Sequence, residues 1–249
     1  MPKRLKSFFL TMSNPFFRFK QFCVHHDRCA MKVGTDGVLL GAWANAGNGA
    51  MILDVGTGTG LIALMMAQRY PAATIRAIDI DRDAVNQAQE NVGDSPFADR
   101  MTVVQDDFRH YASVCAEKFD LIVSNPPWFN HAHLPPDAQR KTARHSVSLT
   151  LTELLLAAAN CLSPEGVLAL ILPYDQQKEL EMQAREHGFF LKRETVVYPL
   201  PASNPKRLLT EWTRSQSEDP THSKLTVELA RHRYSEEFIE LVREFYLYL

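Results

Sequence analysis

Two short segments of this sequence bring together residue types that can do chemistry. In the first, Ile52-Leu53-Asp54-Val55 runs into Gly56-Thr57-Gly58-Thr59-Gly60, a glycine-rich turn between a strand-like and a helix-like run. Glycines in such a turn let the backbone pass close to a ligand and take up positive φ. A dinucleotide fingerprint, G-x-G-x-x-G, would need a glycine where Leu61 stands, and Asp54 has no part in it, so a pyrophosphate-binding turn fits poorly. Downstream, Ala77-Ile78-Asp79-Ile80-Asp81 sets a carboxylate at the end of the next strand-like run. Asp79 could there accept both ribose hydroxyls of an adenosine-bearing ligand. Asp81 is placed to cap the helix expected from Arg82. In the second segment, Leu121–Ser124 ends in Asn125-Pro126-Pro127-Trp128. Consecutive prolines remove amide donors and fix φ just where a sheet stops, which makes a rigid corner.

These residues need a scaffold. From Met51 onward, runs of strand character (Met51–Val55, Thr74–Ile80, Met101–Gln105, Leu121–Ser124, Val167–Leu172) alternate with helical periodicity at Leu61–Arg69, Arg82–Val92, Leu151–Cys161 and Gln176–His187. That alternation predicts an α/β fold with a doubly wound, mostly parallel, Rossmann-like sheet of seven strands. Phe190–Tyr198 and Arg207–Arg214 have no helix between them and should pair antiparallel, making the last strand antiparallel. Lys224–Leu229 reads as an edge strand and Glu236–Leu247 as an amphipathic helix.

A chain of 249 residues with 45% hydrophobic content suits a single domain. We expect residues 1–15 to be a basic N-terminal arm and residues 16–249 one domain, whose segment 16–45 lines the substrate and cofactor sites. The net charge of -2 excludes a broadly polycationic protein, but charge is uneven. Residues 1–32 carry Lys3, Arg4, Lys6, Arg18, Lys20, Arg28 and Lys32 against Asp27 alone. This arm and the cluster Arg140, Lys141 and Arg144 are either ordinary solvated faces or contacts to a phosphate backbone. Cys23, Cys29, Cys115 and Cys161 form no C-x-x-C pair, as expected of reduced thiols in the cytoplasm. Cys23, His25, His26 and Cys29 match no common zinc spacing, and no metal is expected. The apolar run Phe8-Phe9-Leu10 breaks at Ser13-Asn14-Pro15, too early for a signal peptide, and the other apolar runs are of strand length, so no membrane association is expected.

The D-x-G-x-G-x-G form at Asp54–Gly60 resembles the first motif of class I methyltransferases, whose turn packs on S-adenosyl-L-methionine, a ligand without phosphate. Asn125-Pro126-Pro127-Trp128 resembles the fourth motif of amino-methyltransferases. Their target nitrogen shares its lone pair with an sp² ring. Acceptors for its two N–H hydrogens, here Asn125 and Pro126, favour the attacking, pyramidal amine, while an aromatic at Trp128 holds the ring plane. Ahead of the glycine turn, Phe17-Arg18-Phe19-Lys20-Gln21-Phe22 and the run His26 to Trp43 closely resemble the N-terminal signature of the bacterial tRNA(Val) adenine-N6-methyltransferase family. The likeness returns at Tyr234-Ser235-Glu236-Glu237-Phe238 and Phe245-Tyr246-Leu247. It departs at Trp128, where many members have tyrosine.

The resemblance implies methyl transfer from S-adenosyl-L-methionine to N6 of the adenine next to the anticodon in tRNA(Val); separately, we expect a monomer. It implies catalytic roles for Asn125, Pro126 and Trp128, and cofactor contacts from Thr35, Asp36, Asp54, Gly56, Gly58, Asp79 and Asp107. Pro127, Arg140, Lys141 and Arg144 would face the substrate. Thr35 or Asp36 could equally be a helix cap before Val38-Leu39-Leu40. An rRNA guanine N2 or a protein glutamine is the alternative acceptor, and a non-catalytic cofactor-binding RNA module the alternative class.

Overall fold

A computed structural model describes residues 14–29, 32–47, 49–127, 149–216 and 219–248. Its centre is an eight-stranded sheet in the order β10-β8-β9-β7-β6-β3-β4-β5. These strands are β3 (Met51–Val55), β4 (Thr74–Asp79), β5 (Met101–Gln105), β6 (Phe119–Ser124), β7 (Leu162–Pro173), β8 (Phe190–Tyr198), β9 (Arg207–Thr213) and β10 (Thr221–Thr226). Neighbours from β5 to β7 pair in parallel. As the uninterrupted link between them predicts, β9 lies antiparallel to β8, and it inserts between β8 and β7. The count exceeds the expected seven because β10 adds, parallel to β8, at the edge.

Among the described residues the α-helices are α1 (Thr35–Trp43), α2 (Leu61–Arg69), α3 (Arg82–Gly93), α4 (Phe108–Val114), α5 (Leu151–Cys161), α6 (Gln177–Glu186) and α7 (Glu236–Val242). They cover both faces of the sheet, which explains why central strands such as β3, β6 and β7 carry near-continuous apolar runs. Alternate residues divide between two apolar clusters. Ile52, Leu121, Val123 and Ile171 face α1, α2 and α7, whereas Leu53, Ile122, Leu170 and Leu172 face α5 and α6.

An N-terminal hairpin, β1 (Phe16–Arg18) and β2 (Cys23–His25), stands outside the main sheet. Phe19 forms an antiparallel bridge with Tyr246, and Lys20 N–H donates to the Phe245 carbonyl, so the two ends of the domain meet. A second small hairpin, β11 (Glu228–Ala230) and β12 (Arg233–Tyr234), leads into α7. Residues 1–13 and the cluster Arg140, Lys141 and Arg144 fall outside the described residues, as does Trp128.

Chain order reverses at β3, whose neighbours are β4 on one side and β6 on the other. An open parallel sheet leaves a crevice beyond the carboxyl ends of its strands at such a point. Every expected site residue from Asp54 to Pro127 lies at or beside the ends of β3 to β6.

Candidate active site

A cavity of about 900 Å³ fills this crevice. The ends of β3 and β4 supply Gly56, Gly58, Asp79 and Ile80, the end of β5 supplies Asp106 and Asp107, and the end of β6 supplies Asn125, Pro126 and Pro127. Asp27, Arg28 and Cys29, which follow the N-terminal hairpin, complete the wall.

The glycine turn is shaped by hydrogen bonds as well as by composition. The N–H groups of Gly56 and Thr57 both donate to the Ile78 carbonyl, at 2.9 and 3.0 Å, which fastens the turn to β4. Gly56 and Gly58 have φ of 69° and 56°, where a side chain is strained, and a Cβ on either would meet no protein atom within 4 Å. They keep a cradle open that a Cβ would fill. Gly60 serves packing instead, because a Cβ there would lie 3.4 Å from that of Ala88 on α3.

Asp54 does not reach the cavity wall. It is fully buried, and its Oδ2 accepts the Thr57 hydroxyl at 2.6 Å and the Ala63 N–H at 3.1 Å, tying the turn to α2 from behind. Burial pushes its pKa up to about 7, against those two donors. Its influence on a ligand is therefore through the shape of the turn.

Asp79 does line the cavity, and its carboxylate also braces the turn. One oxygen accepts the Gly58 N–H at 2.8 Å and the other accepts the Asp81 N–H at 3.0 Å. Burial raises its pKa, opposed by these amides. Asp81 caps α3 as expected, accepting from the N–H groups of Asp83 and Ala84. Asp107 caps α4 and is gripped by the Arg109 side chain, whose Nη1 also donates to Glu153 on α5 at 3.0 Å. Hydrogen bonding from Arg109 holds the Asp107 carboxyl below the usual range.

Strand register brings the two motifs together. Val55 on β3 pairs with Ser124 on β6, so the next residues, Gly56 and Asn125, leave adjacent strands at one level. Adjacent strands are about 4.8 Å apart. Pro126 and Pro127 follow Asn125 along the same wall.

Thr35 and Asp36 are not among the residues lining the cavity. Thr35 is exposed, and the Asp36 carboxylate accepts from Arg207 Nε at 2.7 Å, a partner on β9 that claims it. Neither caps α1, whose N-cap is Gly34 without a side-chain bond. Conversely, Asp27–Cys29, which fall within the segment 16–45 expected to line the sites but were not singled out as contacts, do line the cavity. Burial and the nearby carboxylates of Asp79, Asp81, Asp27 and Asp83 push the Cys29 thiol up to about 11. His26, in the group weighed as a zinc site, bonds through Nε2 to the Asn14 carbonyl at 2.9 Å, and no metal-ligand cluster occurs among the described residues.

This lining fits an adenosyl sulfonium better than a phosphorylated nucleotide. Asp27, Asp79, Asp81, Asp83, Asp106 and Asp107 line the cavity, while Arg28, whose guanidinium bonds Glu90 at 2.6 Å, is the cation among its described lining residues. Negative potential repels phosphate and favours a cation. The glycine cradle and the carboxylate at the next strand end match the remaining features of an adenosyl ligand.

Residues 33–189 match the family model of the methyltransferase small domain. The tRNA1(Val) (adenine(37)-N6)-methyltransferase of Parabacteroides distasonis is 52% identical, across 95% of this chain and 99% of its own. The protein of the same name from Trichodesmium erythraeum is 44% identical, across 93% and 97%. Among solved structures, the predicted O-methyltransferase Atu636 from Agrobacterium tumefaciens superposes with a TM-score of 0.68 at 16% identity, covering 84% of this chain and 96% of that one. TrmN from Thermus thermophilus superposes with a TM-score of 0.55 at 22% identity, covering 72% and 48%. These two likenesses establish the fold.

Proposed function

Because the chain belongs to the methyltransferase small domain family, with relatives of about 50% identity over nearly its whole length, we propose that it methylates N6 of adenine 37 in tRNA(Val). S-adenosyl-L-methionine is its cofactor. The observation that carries the reading is the shared level at which Gly56 and Asn125 leave β3 and β6, which gives a methyl-donor cradle and an amine-accepting corner one cavity.

When bound, the cofactor supplies a methyl group on a sulfonium, a neutral thioether being the group displaced. Displacement of that kind depends on position and electrostatics and calls for no metal. Gly56 and Gly58 admit the cofactor against the backbone, Asp79 accepts its ribose hydroxyls, and Asp107, fixed by Arg109, bounds the adenine side. Asp54 shapes the turn from behind, and Asp36, bonded to Arg207, ties the start of α1 to β9. The Asn125 side-chain oxygen and the Pro126 carbonyl accept the two N–H hydrogens of the target amine and turn its lone pair toward the methyl carbon. Trp128 stacks on the adenine, which must be rotated out of the RNA stack to arrive there. Pro127 bounds the substrate side, and Arg140, Lys141 and Arg144 meet the phosphate backbone.

No helix among the described residues is long and apolar enough to cross a membrane. The proposed substrate puts the enzyme in the cytoplasm, where we expect it to act as a monomer. Incubation with bulk tRNA and labelled cofactor, followed by mass-spectrometric mapping, tests the acceptor. N6-methyladenine at position 37 of tRNA(Val) is the expected product, and a label on guanine, on protein glutamine or nowhere would overturn the proposal.

A further inference from the structure

The ends of four sheet strands make most of the cavity, but Asp27–Cys29 follows a hairpin outside that sheet. β1 and β2 have three residues each, and a two-stranded ribbon is marginal alone. Side chains at positions 87, 90 and 91 share one face of α3 and reach the hairpin strand and the wall after it. Two of these interactions are weak. Gln87 Oε1 accepts the Arg28 N–H at 3.4 Å, and the Arg28–Glu90 pair is about half exposed on both sides, a kind worth little.

Asn91 is different. It is 1% exposed, and its Oδ1 accepts the His25 N–H at 2.9 Å while its Nδ2 donates to the His25 carbonyl at 2.9 Å. The amide thus meets His25 as the backbone of an adjoining strand would. Its Nδ2 also donates to the Thr59 carbonyl at 2.8 Å, inside the glycine turn. One buried side chain therefore spans from the strand leading to Asp27–Cys29 to the turn on which the cofactor packs. We infer that Asn91 is a positioning residue for the cofactor site, setting the distance between the N-terminal wall and the glycine turn, and so governing cofactor affinity more than turnover. The inference rests on the cofactor reading above.

Titration calorimetry of the full chain with S-adenosylhomocysteine, alongside steady-state kinetics, tests it. Asn91→Ala leaves both backbone groups of His25 and the Thr59 carbonyl without this partner, and should weaken binding roughly tenfold or more. The KM for S-adenosylmethionine should rise in step, while kcat at saturating cofactor stays within about threefold, a split that general destabilisation does not produce. Glu90→Gln, at the exposed pair, should change affinity by less than about twofold. An Asn91→Ala enzyme with wild-type affinity, or one losing kcat at unchanged KM, overturns the inference.

Hydrogen exchange on the wild-type chain decides the matter even if Asn91→Ala fails to fold. S-adenosylhomocysteine should slow the amides of Arg28 and Cys29 together with those of the glycine turn. Slowing of the turn alone overturns the inference. A wild-type chain that binds no S-adenosylhomocysteine at all would sink the cofactor reading, and this inference with it.

Discussion

The Ser124 hydroxyl donates to the Val55 carbonyl at 2.8 Å, across two parallel strands paired at these same residues. Ser124 is 1% exposed, so this bond lies in the protein interior, just beneath the point where the backbone leaves the sheet on both sides. It fixes how far the Asn125-Pro126 corner stands from Gly56, and methyl transfer between the two depends on that separation.

Asn125→Ala should lower single-turnover methylation of a tRNA anticodon stem-loop by about 100-fold or more, the usual loss for a donor or acceptor used mainly at the transition state. The dissociation constant for S-adenosylhomocysteine should not change. Near wild-type turnover would remove the reason for assigning an amino nitrogen as the acceptor. At the neighbouring Trp128, tyrosine or phenylalanine should retain most activity, whereas alanine loses a stacking contribution of about 1–3 kcal/mol per base.

Asp79→Ala should weaken cofactor binding by about 1.5–3 kcal/mol, the value of hydrogen bonds to a charged group. Part of that loss will come through Gly58, whose N–H the carboxylate also holds. Calorimetry at fixed pH reads it directly, and an unchanged constant would remove Asp79 from the site.

Gly58→Ala and Gly60→Ala should separate two uses of glycine. Both backbones have positive φ, so each substitution should cost about 1–2 kcal/mol of stability. Only at position 58 would the new Cβ occupy open space lining the cavity, so cofactor affinity should fall further for Gly58→Ala than thermal denaturation accounts for.

Asp54 makes stability depend on pH. Its folded pKa, about 7, lies above the ordinary 3.8, so the folded state holds this proton more tightly than the unfolded chain. The resulting stabilisation is fully present below the unfolded value and is lost as pH rises toward about 7. Urea denaturation across that window should show this decline, and Asp54→Asn should flatten it. A wild-type slope in the variant would place the titrating group elsewhere.

Charge reversal at Arg140, Lys141 and Arg144 should weaken tRNA binding and make its salt dependence shallower, by about one unit of log–log slope for each phosphate no longer neutralised. Cofactor affinity should stay the same. Binding isotherms over a series of salt concentrations separate the two effects.

The sheet was legible in the sequence both where burial on two faces left an apolar run, as in Met51–Val55, and where β-branched and aromatic residues gather in half-exposed strands, as in Met101–Gln105 and Phe190–Tyr198. Met51–Val55, Met101–Gln105 and Phe190–Tyr198 stand where their residue patterns predict, as do the helices Leu61–Arg69 and Leu151–Cys161. Helix Phe108–Val114 was not, because seven residues are too few to show a period and its start is fixed by Asp107 and by the tie from Arg109 to Glu153. The cavity's strand-end residues could be read because a local motif announces each one. Asp27–Cys29 could be placed only as part of the broad segment 16–45 and not singly, since the hold on the preceding His25 comes from Asn91, 66 positions away. The setting of Asp36 is likewise decided at long range, since Arg207, 171 positions distant, takes its carboxylate. Local patterns report strands and turns, whereas long-range polar interactions decide which surfaces close a pocket.

The pairing of Phe19 and Lys20 with Phe245 and Tyr246 sets an order of events during synthesis. Phe19 and Lys20 emerge from the ribosome well before Phe245 and Tyr246, their backbone partners more than two hundred positions further on. A chain is built from its N-terminus at about 5–20 residues per second, so this pairing is out of reach until that whole intervening stretch has been translated. Until then the hairpin leading to the cavity wall has only its ties to earlier segments, such as α3. The cofactor pocket therefore gains its final support only after Phe245 and Tyr246 have been made, and a nascent chain stalled short of Phe245 would carry the glycine turn and the Asn125 corner without an enzyme's finished pocket.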